Sequence, residues 1–180
     1  MKILIFNGSP RKQGNTVHLI EAFMMRAIEL GNETVRYDLD RMFIKPCKAC
    51  DACANNKGRC VLKDDFNAIY EDILEADGIL FAAPLYWYSL PAQLKILIDR
   101  LYCLQGLNFK TGSKKVGIIG ACADSTEDSF QGFLYGLEKS IEYLGWENVG
   151  KVLATGVWGP NDVLKTAKLK EAADLAEKFT

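Results

Sequence analysis

A doubly wound α/β fold, with five parallel strands in the order 2-1-3-4-5 and helices on both faces, is what this sequence predicts. Three observations carry that expectation. Short apolar runs rich in Ile, Val and Phe recur at Lys2–Asn7, Glu33–Asp38, Gly78–Ala82, Lys115–Ala121 and Val149–Val157. Most are continuous rather than alternating, as strands buried on both faces of a parallel sheet are. Segments of helical period separate them, and repeated strand–helix alternation with right-handed crossovers leaves a doubly wound sheet as the economical architecture. The 180 residues, 49% of them hydrophobic, suit a single domain spanning 1–180.

The helices follow from their stripes. Val17, Ile20, Met24, Ala27 and Ile28 share one face, and Leu94, Leu97, Ile98 and Leu101 stand at i, i+3, i+4 and i+7. Further helices are expected over Asp65–Glu75, Ser129–Leu144 and Asp162–Phe179. One compositional break, residues 41–64, reads as a polar, cysteine-rich insertion between the second strand and its helix.

Charge is nearly balanced, 22 basic against 23 acidic side chains, so the field that would gather nucleic acid or an anionic membrane is missing. The apolar run Ile3–Phe6 before the first glycine is too short for a signal core or a membrane span, and a cytoplasmic protein is expected. There the six cysteines are reduced thiols, and their spacing reads as metal or redox chemistry before disulfides.

After the first strand, Gly8-Ser9-Pro10-Arg11-Lys12-Gln13-Gly14-Asn15-Thr16 leads into the first helix. A strand, a turn-rich loop and a helix N-terminus aim free N–H groups at one point, with hydroxyls, an amide and a guanidinium around it, a site for phosphate. Five residues lie between the glycines and Asn15 replaces the lysine an ATPase loop needs, so a Mg-nucleotide is disfavoured. The dinucleotide glycine pattern is missing too, and a terminal monoester fits better. An ordinary capped turn is the alternative. After the third strand comes Pro84-Leu85-Tyr86-Trp87-Tyr88-Ser89-Leu90-Pro91. Strands one and three flank the switch point of such a sheet, so both loops open on one crevice. Three adjacent aromatics there suit a planar ligand or a protein contact. A third loop, Gly120-Ala121-Cys122-Ala123-Asp124-Ser125, leaves the fourth strand at the same edge.

Gly8-Ser9-Pro10-Arg11 with Gly14-Asn15-Thr16, the Pro84-Leu85-Tyr86-Trp87 loop, and Gln93-Leu94-Lys95 leading to Ile98-Asp99-Arg100 resemble the NAD(P)H-dependent FMN reductase family, particularly its iron-sulfur flavoprotein branch. The resemblance covers essentially the whole chain and implies a flavodoxin-like fold. It implies that Ser9, Arg11, Asn15 and Thr16 hold the FMN phosphate, and that Pro84, Leu85, Tyr86 and Trp87 line the ring with Ala123 and Asp124 beside them. The implied activity is hydride transfer from NAD(P)H to FMN and on to a quinone, a free flavin or an electron-carrier protein. A homodimer or higher homo-oligomer is expected from the apolar Trp87, Tyr88 and Leu90, and the resemblance points the same way.

His18 is the only histidine, so no Ser-His, Cys-His or multi-histidine site can be assembled within one chain. Asp64-Asp65 precede a helix and read as structural, as does Asp99-Arg100 at a helix end. The chemistry is left to the cofactor, with no catalytic side chain named. Two rivals stay open: an electron shuttle that binds FMN without meeting a nicotinamide, and a metal-binding or regulatory protein on the same fold. Cys47, Cys50 and Cys53 stand at two-residue spacing, and Cys60 follows six residues on. Four such thiolates can converge on a 4Fe-4S cluster, on zinc, or on nothing. Cys103 and Cys122 read as plain thiols of the framework.

Overall fold

A computed structural model describes residues 1–180. Strands β1 (Lys2–Asn7), β2 (Glu33–Asp38), β3 (Gly78–Pro84), β4 (Lys115–Ala121) and β5 (Glu147–Ala154) form one parallel sheet in the order β2-β1-β3-β4-β5. The helices are α1 (Asn15–Glu29), α2 (Phe66–Glu75), α3 (Ala92–Arg100), α4 (Gln131–Tyr143) and α5 (Lys168–Ala176). No helix is long and apolar enough to cross a membrane.

The predicted sheet order is the observed one. The central strands are buried almost throughout, which is why they read as continuous apolar runs, whereas edge strand β2 is half-buried and keeps Arg36 and Asp38. Alternation along each strand divides the core in two. Leu4, Phe6, Ile79, Phe81, Val116 and Ile118 face the layer containing Phe66, Leu97 and Phe133. Ile3, Ile5, Leu80, Ile119 and Val152 face Leu19, Phe23 and Phe179 on the other side. At 25 cal/mol per Å² of buried apolar surface, each large core side chain contributes about 1.5–3 kcal/mol.

Two boundaries differ from expectation for identifiable reasons. β5 starts at Glu147 because its pairing with β4 shifts between Val116 and Gly117, leaving an extra residue in the strand. It ends at Ala154, ahead of Gly156 in the left-handed region. The expected helix 162–179 is split into a short 3-10 turn, Asp162–Lys165, and α5. Thr166 is extended between them, and its hydroxyl accepts from the Lys168 N–H at 3.2 Å, giving α5 its own start.

The insertion at 41–64 carries little regular structure, only 3-10 turns at Leu39–Arg41 and Ala52–Asn55. It is closed at its neck by aspartates. Asp64 Oδ2 accepts from the Lys45 N–H at 2.9 Å, Asp65 Oδ2 accepts from the Phe43 N–H at 2.7 Å, and the Asp65 N–H donates to the Phe43 carbonyl. Asp65 is therefore spent across the neck rather than on capping α2. Asp64 also meets Arg100 in a forked ion pair, Nη1 to Oδ2 at 2.7 Å and Nη2 to Oδ1 at 3.2 Å, with both side chains at most 1% exposed. Nη1 donates as well to the Lys45 carbonyl, and the guanidinium lies 4.4 Å from the centre of the Phe66 ring.

Burial pushes the Asp64 carboxyl up, but hydrogen bonds from Arg100 and from the Lys45 N–H outweigh it and hold the group below the ordinary carboxylate range. A carboxyl depressed in the folded state adds stability above its unfolded value, about pH 4, and loses it as the pH falls through the folded value. Asp64→Ala should cost about 3–5 kcal/mol in urea unfolding at neutral pH, because it strands a buried guanidinium. Asp64→Asn should flatten the loss of stability below about pH 4 relative to the parent protein.

Candidate functional site

The loop from β1 into α1 is shaped by asparagines. Asn7, buried at the end of β1, accepts from the Ser9 N–H at 2.9 Å through Oδ1 and donates through Nδ2 to Asp38 Oδ1 at 2.8 Å. Ser9 Oγ then accepts from the Arg11 N–H at 3.3 Å. Gly8 sits in close packing: a Cβ there would stand 3.1 Å from the Cβ atoms of Ala83 and Leu94, so a larger residue would press on both. Gly14 precedes α1 without a side-chain cap, and its carbonyl accepts from the Val17 and His18 N–H groups. The Asn15 and Thr16 N–H groups have no intrahelical partner, and both residues line the opening that the loop encloses.

That opening is a crevice of about 230 Å³ at the β1/β3 switch point. Ser9, Arg11, Asn15, Thr16, Pro84, Leu85, Tyr86 and Ala123 line it, so the structure brings eight of the ten residues singled out for FMN around one space. Gly14, Ala121, Cys122, Val157 and Trp158 complete the lining. Val157 and Trp158, from the loop after β5, gave no local signal in the sequence. The Asn15 side chain explains how that loop arrives. Its Nδ2 donates to the Val157 and Gly159 carbonyls at 3.1 and 3.0 Å, and its Oδ1 accepts from the Val163 N–H at 3.1 Å. Asn15 thus offers the crevice its backbone N–H, its amide being committed to the crevice wall. His18 holds the same loop from outside, with Nε2 2.7 Å from Asn161 Oδ1.

Two expected residues do not line the crevice. Trp87 is 94% exposed at the tip of a tight turn in which the Tyr86 and Ser89 N–H groups each donate to the other's carbonyl. Trp87 and Tyr88 both sit in the left-handed region, at φ 48° and 60°, which turns their side chains outward. The turn rests on α4, where a Cβ at Gly132 would lie 2.4 Å from the Tyr88 carbonyl oxygen. Asp124 is spent on its own loop: its carboxylate accepts from Ser129 Oγ at 2.8 Å, and its carbonyl accepts from the Gly156 N–H.

The crevice fits FMN on its own chemistry. Free helix-start amides, hydroxyls and a guanidinium suit a phosphate, and an apolar wall from Pro84 to Tyr86 suits a ring.

Cys47, Cys50, Cys53 and Cys60 line a second, enclosed pocket together with Cys103, Tyr102 and Arg100. Cys47 and Cys50 are exposed, Cys60 is half-buried and Cys53 is buried. The Ala49 N–H points at Cys47 Sγ, 3.5 Å away. Burial, with Cys53 and Cys60 nearby, pushes the Cys103 thiol up to about 12, and burial pushes the Cys53 thiol up as well. The donor chemistry fits a thiolate-bound metal group. The free space is only about 20 Å³, and no three His, Cys, Asp or Glu side chains are grouped to hold a single ion.

Residues 1–154 match the family described as NADPH-dependent FMN reductase. The iron-sulfur flavoprotein of Methanosarcina thermophila is 36% identical over 99% of this chain and 93% of its own length. A putative NAD(P)H-dependent FMN-containing oxidoreductase of Bacillus subtilis, YwqN, is 28% identical over 96% of this chain and 94% of its own. Among solved structures, the NAD(P)H:quinone oxidoreductase from Methanothermobacter marburgensis superposes with a TM-score of 0.77 at 20% identity, covering 98% of this chain and 94% of that one, which supports the shared fold. The chain belongs to the NADPH-dependent FMN reductase family of flavodoxin-like oxidoreductases.

Proposed function

We propose that the chain binds FMN in the crevice at the β1/β3 switch point, takes hydride from NADH or NADPH, and reduces a second acceptor such as a quinone, a free flavin or an electron-carrier protein. The observation that carries this reading is the crevice itself, which joins a monoester-sized cradle of free amides at Asn15 and Thr16 to an apolar wall at Pro84, Leu85 and Tyr86. FMN, when bound, supplies the hydride-accepting centre at its ring N5. The chain's part is binding and exclusion. Ser9 and Thr16 offer hydroxyls, Arg11 a charge, and Asn7 keeps the Ser9 N–H in place. Pro84, Leu85 and Tyr86 keep water from one side of the ring, and Ala121–Ala123 with Trp158 approach from the other strands.

The four loop cysteines are assigned on the same reading to a 4Fe-4S cluster. The similarity to the iron-sulfur flavoprotein of Methanosarcina thermophila supports it. A cluster, when bound, passes electrons singly to an outside carrier. Zinc would draw all four sulfurs to about 2.3 Å from one point, closer than this loop gathers them. Reduced thiols and a nicotinamide donor belong together in the cytoplasm, the setting this reading implies.

Purified protein should be yellow and release FMN on denaturation. Arg11→Ala should weaken FMN binding by about 1–3 kcal/mol in a fluorescence titration while leaving the urea midpoint unchanged. Asn15→Ala should lower both, since three hydrogen bonds to the 157–163 loop are lost.

In stopped-flow mixing without oxygen, NADH or NADPH should bleach the flavin band within the turnover time of an added quinone. A flavin that neither nucleotide reduces, but that a reduced carrier protein does, assigns the chain to electron shuttling instead.

The exposed Trp87 and Tyr88 turn is the apolar surface on which a homodimer would close. Sedimentation at micromolar concentration should give a species above the 20.1 kDa protomer, and Trp87→Ser should shift it toward the protomer.

A further inference from the structure

Trp158 is held more firmly than its exposure explains. It lines the crevice yet is 81% exposed, so it stands at the rim. The backbone on both sides of it is fixed. The Gly156 N–H donates to the Asp124 carbonyl at 2.7 Å, the Val157 N–H to the Cys122 carbonyl at 2.9 Å, and the Gly159 N–H to Asp162 Oδ2 at 2.7 Å. The Val157 and Gly159 carbonyls both accept from Asn15 Nδ2. The indole, by contrast, is uncommitted. Trp146, 5% exposed, donates from Nε1 to Thr111 Oγ1 at 3.0 Å, as a buried indole should, whereas the Trp158 Nε1–H has no partner in the protein. A ring fixed at its base and free to turn loses little freedom when a flat ligand covers it. It also stands alone, since Gly156 and Gly159 carry no side chain and Val157 is buried.

We propose that Trp158 is a specificity-determining residue for the second reactant, its indole packing against the flat ring of a quinone-class acceptor at the crevice mouth. This rests on the FMN reading given above. Pro84, Leu85 and Tyr86 follow β3, and Trp158 follows β5, with β4 between the two strands, so the apolar wall and the indole come to the crevice from different sides. A carrier protein would need a broad contact, which a single aromatic between two glycines does not offer, whereas one flat ring suits a small planar molecule. In the exchange the quinone gains two electrons and two protons and leaves as the hydroquinone. Both electrons and one proton originate as hydride from NAD(P)H, by way of the flavin, and the second proton comes from water.

The test uses FMN-loaded protein and a 1,4-naphthoquinone. With the flavin oxidised no electrons move, and calorimetric titration reads binding alone. Trp158→Ala should raise the naphthoquinone Kd by about tenfold or more, while Trp158→Phe, which keeps a flat ring, should stay within about threefold of the parent. In a second arm, protein reduced with stoichiometric dithionite is mixed in stopped flow with the naphthoquinone or with ferricyanide, an octahedral anion that has no flat ring. The ratio of the quinone to the ferricyanide rate constant should fall by about tenfold or more in Trp158→Ala. FMN content and the urea midpoint check that the variants are folded. Equal Kd values and equal ratios, or an FMN-loaded parent that binds no naphthoquinone, overturn the inference alone. A folded Trp158→Ala protein that has lost FMN does so too, because the indole is then a wall for the flavin. Wild-type protein that takes up no FMN overturns the FMN reading and this inference with it.

Discussion

A guanidinium cannot be taken out of water unless nearly all of its donors and its charge are met, and much of this molecule's irregular part is arranged around that constraint at Arg100. Asp64 meets it, and in doing so is pinned beside the Lys45 N–H and the start of α2. The long connection between β2 and α2 thereby becomes a closed loop with a fixed neck. Without the pair, residues 41–64 would have little apolar burial to hold a shape, since of them only Cys53 belongs to the buried core, with Met42, Ile44 and Cys60 partly buried against it. Breaking one partner leaves the other charge stranded, which is why the pair governs this region more strongly than its surface ion pairs govern theirs.

The crevice depends on a different device, the use of asparagine where backbone groups from distant segments have to be joined. Asn7 ties β1 to edge strand β2 while shaping the Ser9 turn, and Asn15 ties the start of α1 to the loop after β5. Both are buried. A primary amide has two donors and an acceptor and no charge to desolvate, so it can be satisfied entirely inside the protein. The outcome is a crevice whose floor is rigid sheet and whose helix-start amides remain free for an anion.

How much of this is legible in the sequence follows from range. The strands, their order and the convergence of the Ser9–Thr16 and Pro84–Tyr86 loops are local or follow from chirality, and they are read correctly. The partners of Asn7 and Asn15 lie 31 and 142 residues away, and an asparagine in a glycine-rich loop carries no mark of such a commitment. Trp87 misleads for a related reason. Aromatic residues near a crevice suggest a wall, yet the left-handed backbone at Trp87 and Tyr88 turns them out, and the feature that allows it is the missing side chain of Gly132 on another helix. Arg100 reads correctly as structural, but its unmet Nε can be seen only once the fold supplies its other partners.

Helix α3 connects these observations. Near its N-terminal end, Leu94 and the preceding Pro91 pack against Gly8 of the phosphate loop, and its last residue is Arg100 at the thiol pocket. Nine residues of helix span about 13 Å, so the two pockets, which share no lining residue, lie at opposite ends of one rigid element. Leu94 and Leu97 between them are fully buried in the core formed with α2 and α4. A rigid, dry separator of this kind fixes the spacing of the two sites against thermal motion and keeps water out of the space between them. The neck of the insertion, Arg100 and α3 belong to the packed framework, whereas Cys47 and Cys50 stand exposed outside it.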